Sequence, residues 1–169
     1  MTVLALGIAL AAPGPKIGKS APDFSVTSGC DEPLTLDMTE GKVTVIIYLS
    51  RSAIGKNQEL TNELLAFYNT HDDSVKAKII RAGIVNSSDA VWPLTSIWKS
   101  RLAEQSIERG VPIYGDWDGA MLRDFNFLDD ESNVIIIDKR RIVRYYAFGK
   151  IERDGIAEIK QIVTGLLVE

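Results

Sequence analysis

The sequence has very few residues of the types that build thiol and metal centres. Of its 169 residues, one is cysteine and one is histidine. The single thiol, Cys30, cannot form an internal disulfide, so a two-thiol redox centre within one chain is excluded. The single histidine, His71, excludes a metal site built from several imidazoles. We therefore predict neither a metal site nor any other cofactor.

An excess of positive charge is also missing. Nineteen Lys and Arg residues stand against 23 Asp and Glu residues, which gives a formal net charge of −4. Proteins that bind nucleic acids usually present a basic face to the phosphates, so no nucleic-acid partner is predicted. The hydrophobic fraction of 46% and the charged fraction of 25% are ordinary for a globular protein. The chain length fits one domain.

The N-terminus carries a short apolar run, VLALGIALAA, at positions 3–12. Its length and its small residues resemble a signal peptide, although no Lys or Arg precedes it. The run is too short to cross a bilayer as a helix, which needs about 20 residues. We predict a signal peptide over 1–12 and a single domain over 17–169; an edge strand or a buried N-terminal segment are the alternatives. The mature protein would then be periplasmic or otherwise secreted, with no stable membrane insertion.

The remaining sequence alternates between strand and helix patterns. Alternating residues at 23–27 and 33–36 predict a hairpin, and the continuous apolar run at 43–49 predicts a central strand covered on both faces. Further strands are predicted at 79–85, 111–114, 134–137 and 142–148, with helices between them and at the C-terminus. One predicted helix would bury an apolar face made of Leu94, Ile97, Trp98 and Leu102. This order predicts a three-layer α/β sandwich with a mixed central sheet, helices on both faces and an extra N-terminal β-hairpin.

One segment, KVTVIIYLSRSAIGKNQELTNELLAFY at 42–68, has the strand-turn-helix build of thioredoxin without the thiols. Ser52-Ala53-Ile54-Gly55 occupies the positions of the Cys-x-x-Cys motif. The segment and the element order resemble the thioredoxin-like superfamily. Four segments in order, GKVTVIIYLSRSAIGKN, IVNSSDAVW, GDWDGAMLRDF and NVIIIDKRRIV, resemble the YtfJ-type family of bacterial periplasmic proteins. That resemblance covers about residue 17 to the C-terminus and implies a secreted thioredoxin-like domain, in a family whose molecular activity is not established.

Four residues are predicted to line a ligand or partner cleft at this segment. Ser52 is expected to cap the following helix, because a helix terminus is too weak to generate an alkoxide. Arg51 would hold an anion together with free helix N–H groups, or lie solvated on the surface. Asn133 follows Ser132 at the point where redox thioredoxins have a cis-proline. Asn86 lies at a strand exit, where open α/β sheets bind ligands.

Two functions follow from these residues. The first is a non-catalytic thioredoxin-like module that binds an unknown protein or small ligand through the predicted cleft. The alternative is a thiol-dependent peroxidase or reductase that uses Cys30 with an external resolving thiol. Peroxiredoxins carry their attacking cysteine near the start of the helix, where this chain has Ser52, and the carboxylates of Asp31 and Glu32 beside Cys30 oppose a thiolate.

A hydrolase is disfavoured, because the helix places His71 far from Ser52. The adjacent acids Asp129-Asp130-Glu131 are expected to form a solvated loop.

Overall fold

The computed structural model describes residues 12–169. The predicted signal peptide lies outside the described residues except for Ala12. Within 12–169, strands and helices follow one another as β1 (Ser25–Ser28), β2 (Pro33–Thr35), β3 (Val43–Leu49), α1 (Gln58–Asn69), α2 (Asp73–Lys76), β4 (Ile79–Asn86), α3 (Thr95–Arg109), β5 (Ile113–Asp116), α4 (Ala120–Asp124), β6 (Ser132–Ile137), β7 (Val143–Phe148) and α5 (Arg153–Val168).

The strands form one seven-stranded mixed sheet in the order β2-β1-β5-β4-β3-β6-β7. Strands β3, β4 and β5 are parallel, as expected when helices provide the connections. The predicted N-terminal hairpin β1–β2 and C-terminal hairpin β6–β7 are both antiparallel. The hairpin strands join the sheet through β1–β5 and β3–β6 pairing. The predicted mixed sheet with an added hairpin is confirmed.

Helices cover both faces of the sheet, so the core has two layers. One face packs against α4 and the N-terminal segment, with Met121 and Phe125 as the helical contributions. The other face packs against α1, α3 and α5 through residues such as Leu60, Leu102 and Ile159. Because β3 and β6 bury side chains on both faces, their sequences are nearly continuous runs of hydrophobic residues. No helix within 12–169 has both the length and the apolarity needed to cross a bilayer.

Two sequence predictions about helices are wrong. Helix α1 begins at Gln58 rather than at Ser52, because a 3₁₀ turn over Arg51–Ala53 and a turn at Gly55 follow β3. Gly55 has a φ of 88°, a left-handed conformation that glycine adopts without a steric penalty. In α3, Leu102 is buried, but Ile97 is 51% exposed. The predicted apolar face of α3 is therefore buried at Leu102 and exposed at Ile97.

Candidate functional site

The parallel strands bring several loops to one edge of the sheet. Strands β3, β4 and β5 end together there, because Leu49 pairs with Val85 and Asn86 with Asp116. The antiparallel strand β6 begins at the same edge, since Ser132 lies opposite Leu49. The loops after β3 and β4 and the loop before β6 thus meet, as expected for the ligand edge of an open α/β sheet.

Arg51 lies on the surface of this edge. Its guanidinium carbon is 4.4 Å from the centre of the Trp98 ring, and its Nη1 is 4.0 Å from a carboxylate oxygen of Asp89. The Arg51 side chain remains 57% exposed. Asn86, three residues before Asp89, is partly buried, and its Oδ1 accepts hydrogen bonds from the backbone N–H and the hydroxyl of Ser88. An Arg stacked on an indole therefore forms the exposed part of the predicted cleft.

Ser52 does not cap α1. Its hydroxyl donates a 2.9 Å hydrogen bond to Asp130, and the hydroxyl of Ser50 donates a 2.8 Å bond to Asp129. The ammonium group of Lys56 binds Glu131. Asp129 and Asp130 are exposed, as predicted for a solvated loop. The three acids also attach the loop after β3 to the loop before β6.

Asn133 does not line a surface cleft. It is completely buried in β6, and its amide makes two hydrogen bonds with the backbone of Leu128, donating at 2.9 Å and accepting at 3.0 Å. The hydroxyl of Tyr146 donates a further 2.8 Å bond to Asn133 Oδ1. Because a buried amide needs such partners, the sequence prediction is corrected: Asn133 fixes the loop before β6 from inside.

Asn57, which the sequence did not single out, holds the start of α1 in place. Its Nδ2 donates 2.8 Å hydrogen bonds to Ser132 Oγ and to the Gly149 carbonyl, and its Oδ1 accepts a 2.8 Å bond from the Ile151 N–H. The side chain makes no capping bond to its own helix. All three partners lie far along the chain, so no local sequence pattern indicates this role.

A buried polar pair lies beneath the same edge. The hydroxyl of Tyr48 donates a 2.9 Å hydrogen bond to Asp116 Oδ2, which also accepts from the Leu122 N–H at 3.1 Å. Asp116 is 1% exposed, and its Oδ1 has no hydrogen-bond partner among the described residues. Burial raises the pKa of Asp116, and the hydrogen bonds from Tyr48 and Leu122 offset this only in part. Burial and the Asp116 carboxylate also raise the pKa of Tyr48.

Cys30 lies away from this edge, in the turn between β1 and β2. The turn packs on α3 so closely that a β-carbon on Gly29 would lie 2.1 Å from the Lys99 carbonyl oxygen. The N–H of Cys30 donates to Ser28 Oγ, and Lys99 pairs with Asp31. Cys30 is exposed. Strand β1 is three positions from β3 in the sheet, which separates Cys30 from Ser52 by roughly 14 Å sideways.

Comparisons with known proteins support the fold and bear on the function. The chain is 29% identical over 158 residues to a peroxiredoxin from Thermoplasma volcanium, which covers 89% of this chain and 74% of the relative. The solution structure of a candidate protein disulfide isomerase from Bacteroides thetaiotaomicron matches with a TM-score of 0.72 at 19% identity, over 94% of this chain and 96% of that one. A thiol peroxidase from Chromobacterium violaceum matches with a TM-score of 0.65 at 15% identity, over 90% and 88%. No protein-family model matches the chain.

The structural matches show that the chain has a thioredoxin-like fold, as the sequence predicted. The prediction of a non-catalytic binding module is wrong. It is contradicted by similarity to a protein named peroxiredoxin over most of the chain, together with the thiol peroxidase among the structural neighbours. The similarity favours the alternative, in which a thiol of this chain reacts.

Proposed function

We propose that this protein is a thiol-dependent peroxidase that works through Cys30 with an external resolving thiol. The observation that carries the proposal is the 29% identity to a peroxiredoxin over 89% of this chain. Since Cys30 is the single cysteine of the sequence, any cysteine chemistry of the chain must take place there. The sequence has no second thiol, so resolution requires a thiol from another molecule.

The surroundings of Cys30 suit an accessible reaction centre. The thiol is exposed, so a hydroperoxide and a second thiol can both reach it. Asp31 and Glu32 directly follow Cys30 in the sequence. Lys99 forms an ion pair with Asp31 and so neutralises one of these two negative charges. The turn is held on α3 by the close packing of Gly29 and by the ion pair between Asp31 and Lys99, while the bond from Cys30 N–H to Ser28 lies within the turn. A reactive thiol in this position would lie on a fixed turn rather than on a free chain end.

The proposed reaction has three balanced steps. The Cys30 thiolate attacks one oxygen of a hydroperoxide, the O–O bond breaks, and the sulfur becomes a sulfenic acid while the departing oxygen takes a proton to leave as an alcohol or water. An external thiol then attacks the sulfenic sulfur, forms a mixed disulfide and releases water. A second external thiol attacks the mixed disulfide, which restores Cys30 and releases the external disulfide.

Peroxide consumption by the purified protein tests this reaction. Hydrogen peroxide and cumene hydroperoxide should be consumed in the presence of dithiothreitol, and Cys30→Ser should reduce the rate to that of dithiothreitol alone. Ser52→Ala, a change of similar size at the position of the missing motif, should leave the rate unchanged. Mass spectrometry after dimedone treatment should find the adduct on Cys30. Thiol-dependent turnover that survives in Cys30→Ser would rule out the proposal.

We also propose that the chain belongs with the YtfJ-type proteins and acts in the periplasm. The support is the ordered set of sequence segments, from GKVTVIIYLSRSAIGKN to NVIIIDKRRIV, together with the apolar run at 3–12. The intact mass of the protein isolated from its native cell should then lack the first 11 or 12 residues. A mature protein that retains Met1 would contradict the periplasmic part of the proposal.

A further inference from the structure

Among residues 12–169, no segment covers the middle of the sheet between α1 and α3. Helix α3 packs over β5 and β1, whereas α1 packs beside α5, so a groove remains over β3 and β4. Central strands of an α/β sheet are normally covered on both faces. Here Ile47 and Leu49, on the central strand β3, are only partly buried. An uncovered apolar surface at the centre of the sheet is therefore a feature that the fold itself does not require.

The floor of the groove is apolar and contains a glycine. A β-carbon on Gly83 would have its nearest neighbour, Ile113 Cγ1, at 3.5 Å, which is an ordinary van der Waals separation. A β-carbon would therefore fit there, yet the strand carries none, and glycine within a strand often marks the close approach of another group. The enclosed space within the groove is only about 50 Å³, so a ligand larger than a few atoms lies along the groove and stays partly exposed to solvent. Its apolar walls are Val45, Ile47, Leu49, Ile54, Leu64, Val85 and Ile113.

Two arginines stand at the end of the groove opposite Ile54. The Arg81 guanidinium lies 3.8 Å from the centre of the Tyr68 ring and donates a long hydrogen bond of 3.4 Å to the Gly110 carbonyl. Arg109 lines the same end from the last turn of α3. Neither arginine pairs with a carboxylate within 12–169, and the sequence before Ala12 contains no acidic side chain. The lining is thus mostly apolar, with Thr61 and Gln105 as its uncharged polar side chains, and it is positive at one end.

We propose that this groove binds an aliphatic carboxylate, with the hydrocarbon chain over Gly83 and the carboxylate at Arg81 and Arg109. Guanidinium groups bind carboxylates through paired N–H donors, which makes arginine well suited to this head group. The floor from Val45 to Leu49 spans four residues of strand, or about 13 Å, which matches a chain of medium length. This site is separate from Cys30, which lies on the far side of α3 beside Lys99 and Ala103.

Calorimetric titration with decanoate, at concentrations below its self-association, tests the proposal. Decanol has the same chain without the charge, and acetate has the charge without the chain. Each lacks one of the two proposed interactions, so both should bind at least about tenfold more weakly than decanoate, which corresponds to about 1.4 kcal/mol. Equal binding of decanol and decanoate would overturn the proposal, because the arginines would then have no role. Failure of decanoate to bind would also overturn it, including when an acidic peptide binds in its place.

Two variants locate the binding in the groove. Arg109→Gln should weaken decanoate binding about fivefold, as expected for one partly exposed ion pair. Arg101→Gln removes the same charge from an exposed position of α3 outside the groove and should change affinity by less than about twofold. Gly83→Leu should fill the floor and abolish binding, with far-ultraviolet circular dichroism to verify that the fold is intact. Cys30→Ser should bind normally. Unchanged affinity in Arg109→Gln would place the ligand elsewhere and contradict the proposal.

Discussion

The hydroxyl of Tyr48 donates a 2.9 Å hydrogen bond to the carboxylate of Asp116, and both residues are buried. Tyr48 comes from β3 and Asp116 from the end of β5, so the bond passes beneath the intervening strand β4. Ionisation of a buried carboxylate lowers the stability of the folded state when its oxygens are not all hydrogen-bonded. Within residues 12–169, Asp116 Oδ1 has no hydrogen-bond partner. The pair therefore makes the stability of the protein sensitive to the charge on Asp116.

Replacement of Asp116 by Asn should become more favourable as the pH rises. Because burial raises the pKa of Asp116 in the folded state, its contribution to stability is fully present below the unfolded pKa of about 3.9 and is lost as the pH rises through the folded pKa. Asn cannot ionise, so Asp116→Asn does not share this loss. The free energy of unfolding of the variant, minus that of wild type, should increase between pH 4 and pH 8 in urea titrations, by more than the about 0.5 kcal/mol typical of a surface substitution.

The exposed residue Asp118 supplies the control for that measurement. It follows Asp116 by two positions, and its side chain accepts a hydrogen bond from the Ala120 N–H. Asp118→Asn should change the free energy of unfolding at pH 7 by no more than about 0.5 kcal/mol, because exposed substitutions have small effects. A pH-independent difference for Asp116→Asn would show that the buried carboxylate does not titrate as described.

Asp138 should show the opposite pH dependence. Burial opposes its ionisation, but hydrogen bonds from the Ile142 and Arg140 N–H groups and from the Arg144 guanidinium outweigh burial and lower its pKa. Its contribution to stability is therefore present above the unfolded pKa of about 3.9 and is lost as the pH falls through the folded pKa. Asp138→Asn should cost about 2 kcal/mol at pH 7, the size of lost charge-assisted hydrogen bonds.

The cost of Asp138→Asn should shrink as the pH falls from 5 to 2, because wild type then loses the same charge. Urea titrations of both proteins at a series of pH values measure it. A cost that stays constant down to pH 2 would mean that the Asp138 carboxylate is not held ionised by its partners.

The sequence predicted the central elements well because their signal is local. The run Val43–Leu49 is apolar at almost every position, and the structure gives β3 the same bounds. Predictions of residue roles were poorer where contacts between residues distant in the sequence determine the structure. Nothing near Asn133 in the sequence indicates that Leu128 and Tyr146 satisfy its amide. Apolar spacing in α3 was also misleading, because Ile97 belongs to the predicted apolar face yet is 51% exposed.

The candidate site shows the same division. The sequence itself shows that Ser52-Ala53-Ile54-Gly55 contains no thiol, and it also predicts where the loop after β3 lies. The sequence does not predict where α1 starts, because a turn at Gly55 and the tertiary contacts of Asn57 determine that position. One available signal went unused: Gly83 within a strand pointed to an open floor on the sheet.

Asn57→Ala should be among the most destabilising changes at the edge of the sheet. Its amide makes three hydrogen bonds, and replacement leaves the Ile151 N–H and the Gly149 carbonyl without this partner in a region of low exposure. Removal of one partner from a buried hydrogen bond costs about 1–3 kcal/mol, so a loss of about 3 kcal/mol in the free energy of unfolding is expected from urea titration.

The matched control for that change is Asn62→Ala, which removes an exposed amide from the same helix. Asn62 accepts a hydrogen bond only from the exposed Gln58 side chain, so its loss should change stability by no more than about 0.5 kcal/mol. Because the Asn57 side chain makes no capping bond to α1, an effect specific to Asn57 reports on its contacts with β6 and with the segment between β7 and α5. Equal effects of the two substitutions would mean that these contacts do not hold the start of α1.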